Sequence, residues 1–449
     1  MRTKTPSFVT ELPLKTTSSD EAIILVRLDA GRQLYNACLG ETLDRLGLIQ
    51  QSKAYQEIQK LPKTIDGEPN PERTKAFNEL NKKEEFTNYD IQHYATGIRN
   101  SWIEEHIHAH LAQTLATRAF KAVQKKAFGT AKNVRFKGKN MMDSLEGKEA
   151  KTGLIFRDNT LFWSGLEIPC IIDPKSKVLA YGLTHRVKYC RIVRRKINGK
   201  NRFYLQLIQE GIPYQNPKNQ IGTEEIGLDV GVGTIATVAD TKATLKQFCS
   251  ELMPDQKKKR NLQRKLDRSR RATNPDNYNS DGTVKKGKKG RKNWIYSIRY
   301  KSISEDLAET DRKLAAHRKS LHGKDINEII SIGIRIKTEK VSYKGWQKRY
   351  GRSIGMRAPS MFMNSLRRKA ENAGGYFFEI PTQKTKLSQT CHICGQQVKK
   401  RLSKRWHICC GIQMQRDLYS AYLAKCVGVD TSALDLVRAN QLWQGMESI

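Results

Sequence analysis

One aspartate inside an apolar strand constrains this chain more than any other feature. Ile226-Gly-Leu-Asp229-Val-Gly-Val-Gly-Thr reads as a short buried strand, and a carboxylate within it is costly unless something pairs with it. A divalent cation is one such partner. Gly231 and Gly233 follow and leave the backbone open beside the carboxylate, where a phosphate can approach. Alone, the motif also fits a hydrogen-bonded core carboxylate. Two further acids strengthen the metal reading. Glu339 ends the alternating stretch Ile332-Gly-Ile-Arg-Ile-Lys-Thr-Glu, and Asp417 lies near a helix start in Gln415-Arg-Asp-Leu-Tyr-Ser-Ala. The small Ser420 and Ala421 let that helix lie close to a sheet. Asp229, Glu339 and Asp417, if the fold gathers them, suit two Mg²⁺ ions roughly 4 Å apart, one activating water and one stabilising a leaving 3′ oxygen. Mg²⁺ is a hard cation that prefers such oxygen ligands.

The cysteines carry a second constraint. Of nine, four crowd between Cys391 and Cys410, while Cys38, Cys170, Cys190, Cys249 and Cys426 are scattered and read as small buried apolar residues. Cys391-His-Ile-Cys394-Gly is one knuckle, and Trp406-His407-Ile-Cys409-Cys410-Gly lies about fifteen residues on. Two knuckles at that separation read as a structural Zn²⁺ ribbon. Its expected ligands are Cys391, Cys394, Cys410 and either His407 or Cys409. A redox pair would leave the second knuckle idle, and a catalytic zinc needs an open position that four good ligands do not leave.

The net charge is +36, from 81 Lys and Arg against 45 Asp and Glu. Such a chain repels itself unless a polyanion neutralises it, and nucleic acid is the usual one. An RNA-coating protein shares this charge but has no use for the acids. No apolar run is long enough to span a membrane, and Met1-Arg-Thr-Lys-Thr-Pro-Ser lacks the apolar stretch of a signal peptide. The expected location is a prokaryotic cytoplasm or nucleoid. Monomer and dimer are not distinguished.

Hydrophobic periodicity predicts helices over about Glu21–Gln51 and Asn88–Phe128. Short β-branched and aromatic runs follow: Val134-Arg-Phe, Leu154-Ile-Phe, Thr160–Trp163, Ile168–Ile172, Tyr189–Arg195 and Arg202–Ile208, with a hairpin turn at Asn198-Gly199. They suggest a small β-barrel with one basic face. Strands are expected at Ile226–Val230, Thr234–Ala239, Ile329–Thr338 and Tyr376–Ile380, and helices at Pro359–Ala373 and, as the last, from Asp417 to Ala424. A basic helical stretch over about Gln256–Ser320 is split at Asn274-Pro-Asp-Asn and by the lysine run Lys285–Lys292. His106 and His110 would share a helix face with His108 between them, either as a metal pair or, more plainly, as a solvated surface. Trp163, Trp294, Tyr343 and Trp346 either stack on bases or sit in a core.

The ordered motifs Gly-Leu-Asp229-Val-Gly-Val, Lys-Thr-Glu339-Lys-Val-Ser-Tyr-Lys-Gly-Trp, Leu-Ser-Gln-Thr-Cys391-His-Ile-Cys394-Gly, Cys410-Gly and Gln-Arg-Asp417-Leu-Tyr-Ser-Ala resemble the C-terminal half of the transposon-encoded TnpB proteins. The compact type V CRISPR effectors share them. The resemblance is specific from about Ile226 to Ala424. It departs in a compressed second knuckle, and in Gln-Arg-Asp and Ser-Ala where many members have Asp-Arg-Asp and Asn-Ala-Ala. It implies an α/β plus all-β protein with an RNase H-like (RuvC) nuclease domain. The implied layout is a β-barrel over 1–20 and 131–222 with a helical recognition module at 21–130 inserted in it. A nuclease domain over 223–387, with a basic helical insertion at about 254–322, is followed by a zinc ribbon at 388–412 and the nuclease end and tail at 413–449. The implied activity is Mg²⁺-dependent, RNA-guided cutting of double-stranded DNA beside a short adjacent motif, with Asp229, Glu339 and Asp417 catalytic. Base pairing with the guide RNA would supply the remaining specificity. A guided repressor that does not cut and an RNase H-like transposase are the alternatives. An inactivated repressor would be expected to lose acids that this chain retains.

Overall fold

The computed structural model describes residues 5–285, 292–401 and 403–446. Most of the lysine run, 286–291, lies outside them. The chain divides into two compact units, Met1–Tyr214 and Gln215–Ile449.

The first unit is built on a 34-residue helix, Ser18–Gln51. Thr17 caps its N-terminus and Asp20 reaches back to the Thr17 N–H, a capping box that satisfies two otherwise orphaned donors. Its apolar side, including Ile24, Leu28, Leu34 and Leu39, is buried with the helices Asn88–Arg99 and Ala109–Ala127. The same core takes in a four-stranded antiparallel sheet ordered Ser7–Pro13, Lys200–Glu210, Val187–Ile197 and Ser144–Glu146. A separate three-stranded sheet runs through Ile155–Arg157, Thr160–Trp163 and Leu166–Pro169. The Asn198-Gly199 turn forms as expected, with both residues at positive φ. Two expectations are corrected. Val134-Arg-Phe forms no strand, and the helix expected over Asn88–Phe128 is interrupted by turns between Asn100 and His108. His108 is the N-cap of the second piece, its Nδ1 accepting from the His110 N–H at 3.2 Å. His106 lies in the preceding turn, so His106 and His110 share no helix face.

The second unit contains a five-stranded sheet ordered Ala243–Gln247, Thr234–Val238, Glu225–Val230, Arg335–Glu339, Tyr376–Ile380. The first three strands are antiparallel, and the last two run parallel to Glu225–Val230. Side chains alternate across a strand, which sorts the residues. Ile226, Leu228, Val230 and Ile336 join a core with Ile326, Ile329 and Ile330 of the helix Ile298–Ile332 and with Phe362, Met363 and Leu366 of the helix Pro359–Asn372. Gly227, Asp229, Lys337 and Glu339 belong to the opposite face, against which the helix Arg416–Lys425 packs. The basic stretch forms two helices, Met253–Thr273 and Ile298–Ile332, broken at Asn274 as expected. The Asn274 amide holds the break by donating to Ile295 O and accepting from Ile295 N–H. Ile329–Ile332 is corrected from strand to helix. Its β-branched residues pack the helix onto the sheet, and the strand begins only at Arg335. The helix at Asp417 is not the last, since Leu436–Met446 follows it.

Two features seat the helix Arg416–Lys425 on its sheet. At Gly227 there is no room for a side chain, because a Cβ would stand 1.8 Å from the Ala421 carbonyl oxygen. At the other end, buried Lys337 donates to the Val427 and Lys425 carbonyls, at 2.6 and 3.2 Å. The Lys425 carbonyl is one that the helix C-terminus leaves unpaired and Val427 lies just past the cap, and a cation is favoured there. Glu225 neutralises Lys337 at 2.7 Å and also accepts from the Tyr376 hydroxyl at 2.7 Å and from Arg438. Burial pushes the Glu225 carboxyl up, but these three donors outweigh it and hold it down at about 2.

Replacing Gly227 with Ala is expected to lower stability by about 2–4 kcal/mol, because two backbones must separate; urea denaturation checks it. Glu225 is depressed in the fold, so its contribution is complete above the ordinary value of 4.5 and lost as pH falls through about 2. Melting curves between pH 5 and 2 should therefore show a loss in the parent that Glu225→Gln lacks, with the variant already weaker at pH 7.

Candidate active site and cysteine cluster

The parallel pairing of Glu225–Val230 with Arg335–Glu339 runs through Leu228 opposite Thr338. The next rung carries Asp229 and Glu339 side by side at the C-terminal ends of adjacent parallel strands, where open α/β sheets bind ligands. Asp417 arrives from a different element, in the first turn of the helix Arg416–Lys425. Gln415 caps that helix, its side-chain oxygen accepting from the Asp417 N–H at 2.6 Å and the Leu418 N–H at 3.0 Å. The Thr234 hydroxyl, just past the Gly231–Gly233 turn, donates to Asp417 Oδ2 at 2.9 Å.

The electrostatics follow from this crowding. Burial pushes the Asp229 carboxyl well above the usual range, and the charges of Glu339 and Asp417 push it the same way. The Arg416 charge opposes them. Burial raises Glu339 to about 6, against the pull of the Leu387 backbone and Arg416. Like charges gathered this closely need a cation to ionise together. All three donors are carboxylates, so the set fits a hard divalent ion such as Mg²⁺.

The second gathering is of sulfur. Strands Trp406–Cys409 and Ile412–Gln415 form a hairpin around Cys410-Gly411. Both turn residues lie at positive φ, 50° and 80°, the geometry of a tight two-residue hairpin turn. This turn brings the adjacent Cys409 and Cys410 towards the first knuckle. The ligand atoms of Cys391, Cys394, Cys409 and Cys410 all lie within 4.8 Å of one another. Four converging thiols suit a tetrahedral Zn²⁺ site. A hydrogen bond from the Gln396 backbone and one from the Cys410 thiol lower the Cys394 thiol to about 7, towards the thiolate that binds metal. His407, the alternative fourth ligand, is not in this group. It is buried, its ring stacks on Tyr419 with centroids 3.8 Å apart, and its Nδ1 faces Lys400.

The sequence reading missed several residues that hold this site. Lys337 stands two before Glu339 and so on the same strand face, a signal available from the period of two. Thr234 and Gln415 carried no signal beyond their neighbourhood, because their partners are set by the fold. Of the aromatics singled out, Trp163 is core, with the Arg27 guanidinium over its ring. Trp294 packs edge-on against Tyr278 under Arg270, and Tyr343 meets Trp346 edge-on. Among the described residues no helix is long and apolar enough to cross a membrane.

These features define a mixed five-stranded sheet with acids at its strand ends and a ribbon-like cysteine cluster beside it. Residues 360–423 match the family model described as the Cas12f1-like TNB domain. Comparison with curated proteins found none that matches. Among solved structures, a cryo-EM Cas12f1–sgRNA–target DNA complex is similar at 14% identity and a TM-score of 0.47, over 94% of this chain and 98% of that one. A CRISPR-Cas12f ternary complex is similar at 13% identity and a TM-score of 0.28, over 90% and 81%.

Replacing Asp229 with Asn removes one of three repelling charges. In EDTA the variant should melt at a higher temperature than the parent, and added Mg²⁺ should raise the parent's melting temperature but not the variant's. Equal melting temperatures in EDTA would contradict the crowding described above.

Proposed function

We propose that this protein is an RNA-guided DNA endonuclease that hydrolyses target DNA at a single RuvC-like site. The observation that carries the reading is the meeting of Asp229, Glu339 and Asp417 from three separate elements in one repelling cluster. The TNB-domain match over 360–423 supports the type V assignment, and the +36 charge supports a nucleic-acid partner. The motifs alone would also suit a guided repressor, but a protein that only binds has no use for half-buried acids whose charges crowd Asp229.

In this reading the carboxylates of Asp229, Glu339 and Asp417 hold divalent metal. A pair of Mg²⁺ ions, when bound, supplies water activation and stabilisation of the leaving 3′ oxygen. Thr234 orients Asp417, and the Gly231–Gly233 turn leaves the backbone open for a phosphodiester to approach. Arg416 supplies positive charge beside the acids. Cys391, Cys394, Cys409 and Cys410 hold a structural Zn²⁺. The first unit grips the guide RNA, its sheets over 1–20 and 131–222 as a barrel and its helices over 21–130 as a recognition module. The guide selects double-stranded DNA by base pairing beside a short adjacent motif.

The test begins with RNA. The protein, expressed with its native flanking DNA, should purify with a discrete structured RNA that has a variable end, and only bulk cellular RNA would count against guiding. With that RNA and a matched target, the parent should cut in Mg²⁺ and stop in EDTA. Asp229→Ala should bind the target as the parent does and reduce cutting by at least about 10³-fold; a variant that cuts normally would remove these acids from the chemistry.

A further inference from the structure

The cysteine cluster and Asp417 are joined by two short routes. The first is along the chain. The hairpin strand Ile412–Gln415 runs into the helix Arg416–Lys425 with no linker, and its last residue is the helix cap. The Arg416 N–H donates back to the Arg405 carbonyl at 2.7 Å, beside the start of the same hairpin.

The second route is Tyr419, two residues beyond Asp417. It is buried, and its ring stacks on His407 of the hairpin at 25° and 3.8 Å. Its hydroxyl accepts from the His392 backbone N–H at 3.0 Å and meets His392 Nδ1 at 2.8 Å. One side chain therefore touches both knuckles, because His392 adjoins Cys391 and His407 precedes Cys409 by two residues. Tyr422 on the same helix also meets the His392 ring, edge-on at 5.5 Å, but its hydroxyl turns away and donates to the Ala439 carbonyl in the helix Leu436–Met446. The helix is ten residues long, so a small tilt at its N-terminus moves Asp417 relative to the two sheet acids. Metal sites depend on such supporting contacts, which fix the direction of each ligand.

We propose that Tyr419 is a positioning residue: it ties both cysteine knuckles to the helix Arg416–Lys425 and so sets where the Asp417 carboxylate stands beside Asp229 and Glu339. The cysteine cluster thereby tunes the affinity of the acids for their metal. The inference rests on the reading of the three acids as a divalent-metal site.

The experiment measures Mn²⁺ binding by calorimetry to the full-length, zinc-loaded protein with its co-purified RNA and without target DNA. Parent, Asp229→Ala, Tyr419→Phe and Tyr422→Phe are compared. Tyr419→Phe keeps the stacked ring and removes only the hydroxyl, and Tyr422→Phe removes a buried hydroxyl of the same helix that does not reach the ribbon. Tyr419→Phe should keep its zinc and its target binding, weaken Mn²⁺ by about tenfold, and lower kcat with KM for target unchanged. Tyr422→Phe should lower the melting temperature and leave Mn²⁺ affinity as in the parent. Cys394→Ser, which loosens the cluster from its exposed side, should weaken Mn²⁺ in the same direction and serves if Tyr419→Phe does not fold. Parental Mn²⁺ affinity in Tyr419→Phe or in zinc-depleted Cys394→Ser, or equal losses in both tyrosine variants, overturns the inference. Mn²⁺ binding that Asp229→Ala leaves unchanged instead overturns the underlying carboxylate site, and the inference with it.

Discussion

Everything in the second unit depends on how closely the helix Arg416–Lys425 lies on the central strand. The contact is backbone on backbone at Gly227, with no side chain between. Dispersion and burial seat the helix there, and Lys337 holds its C-terminal carbonyls from below. The depth of that seat is what carries Asp417 to the level of Asp229 and Glu339.

This geometry sets two stabilising charges against two crowded acids, Asp229 and Glu339, on a single sheet face. Lys337 and Glu225 form a satisfied pair, with every nearby donor and acceptor engaged. A few ångströms along the same strands, the acids repel one another. The pair anchors the face on which the repulsion is held, as is usual where function requires an unfavourable local arrangement.

Much of this was legible in the sequence, and the exceptions share a cause. The apolar run around Asp229 and the alternation ending in Glu339 declared two strands because a period of two is local. The cysteine knuckles were legible because metal sites impose spacing. Ile329–Ile332 was misread because β-branched residues at a helix end look the same as the start of a strand; only the packing of Ile326, Ile329 and Ile330 on the sheet decides it. The fourth ligand was ambiguous between His407 and Cys409 for a similar reason. The choice is made by a turn with both residues at positive φ, which Cys410 does not announce, and by the stacking of His407 on a tyrosine from a later helix. Thr234, Gln415 and Tyr419 act through partners that only the fold supplies.

The hairpin that ends at Gln415 has a consequence for how this chain can vary. Between Cys410 and Asp417 stand six residues, which form half a tight turn, one strand and one helix cap. None of them is slack. A substitution there changes one side chain, but a single inserted or deleted residue would exchange the two faces of the strand and turn the helix entry by roughly 100° relative to the sulfur cluster. The segment can therefore tolerate spelling changes but not a change of length, and the ribbon and the acid beyond it are inherited as one rigid unit.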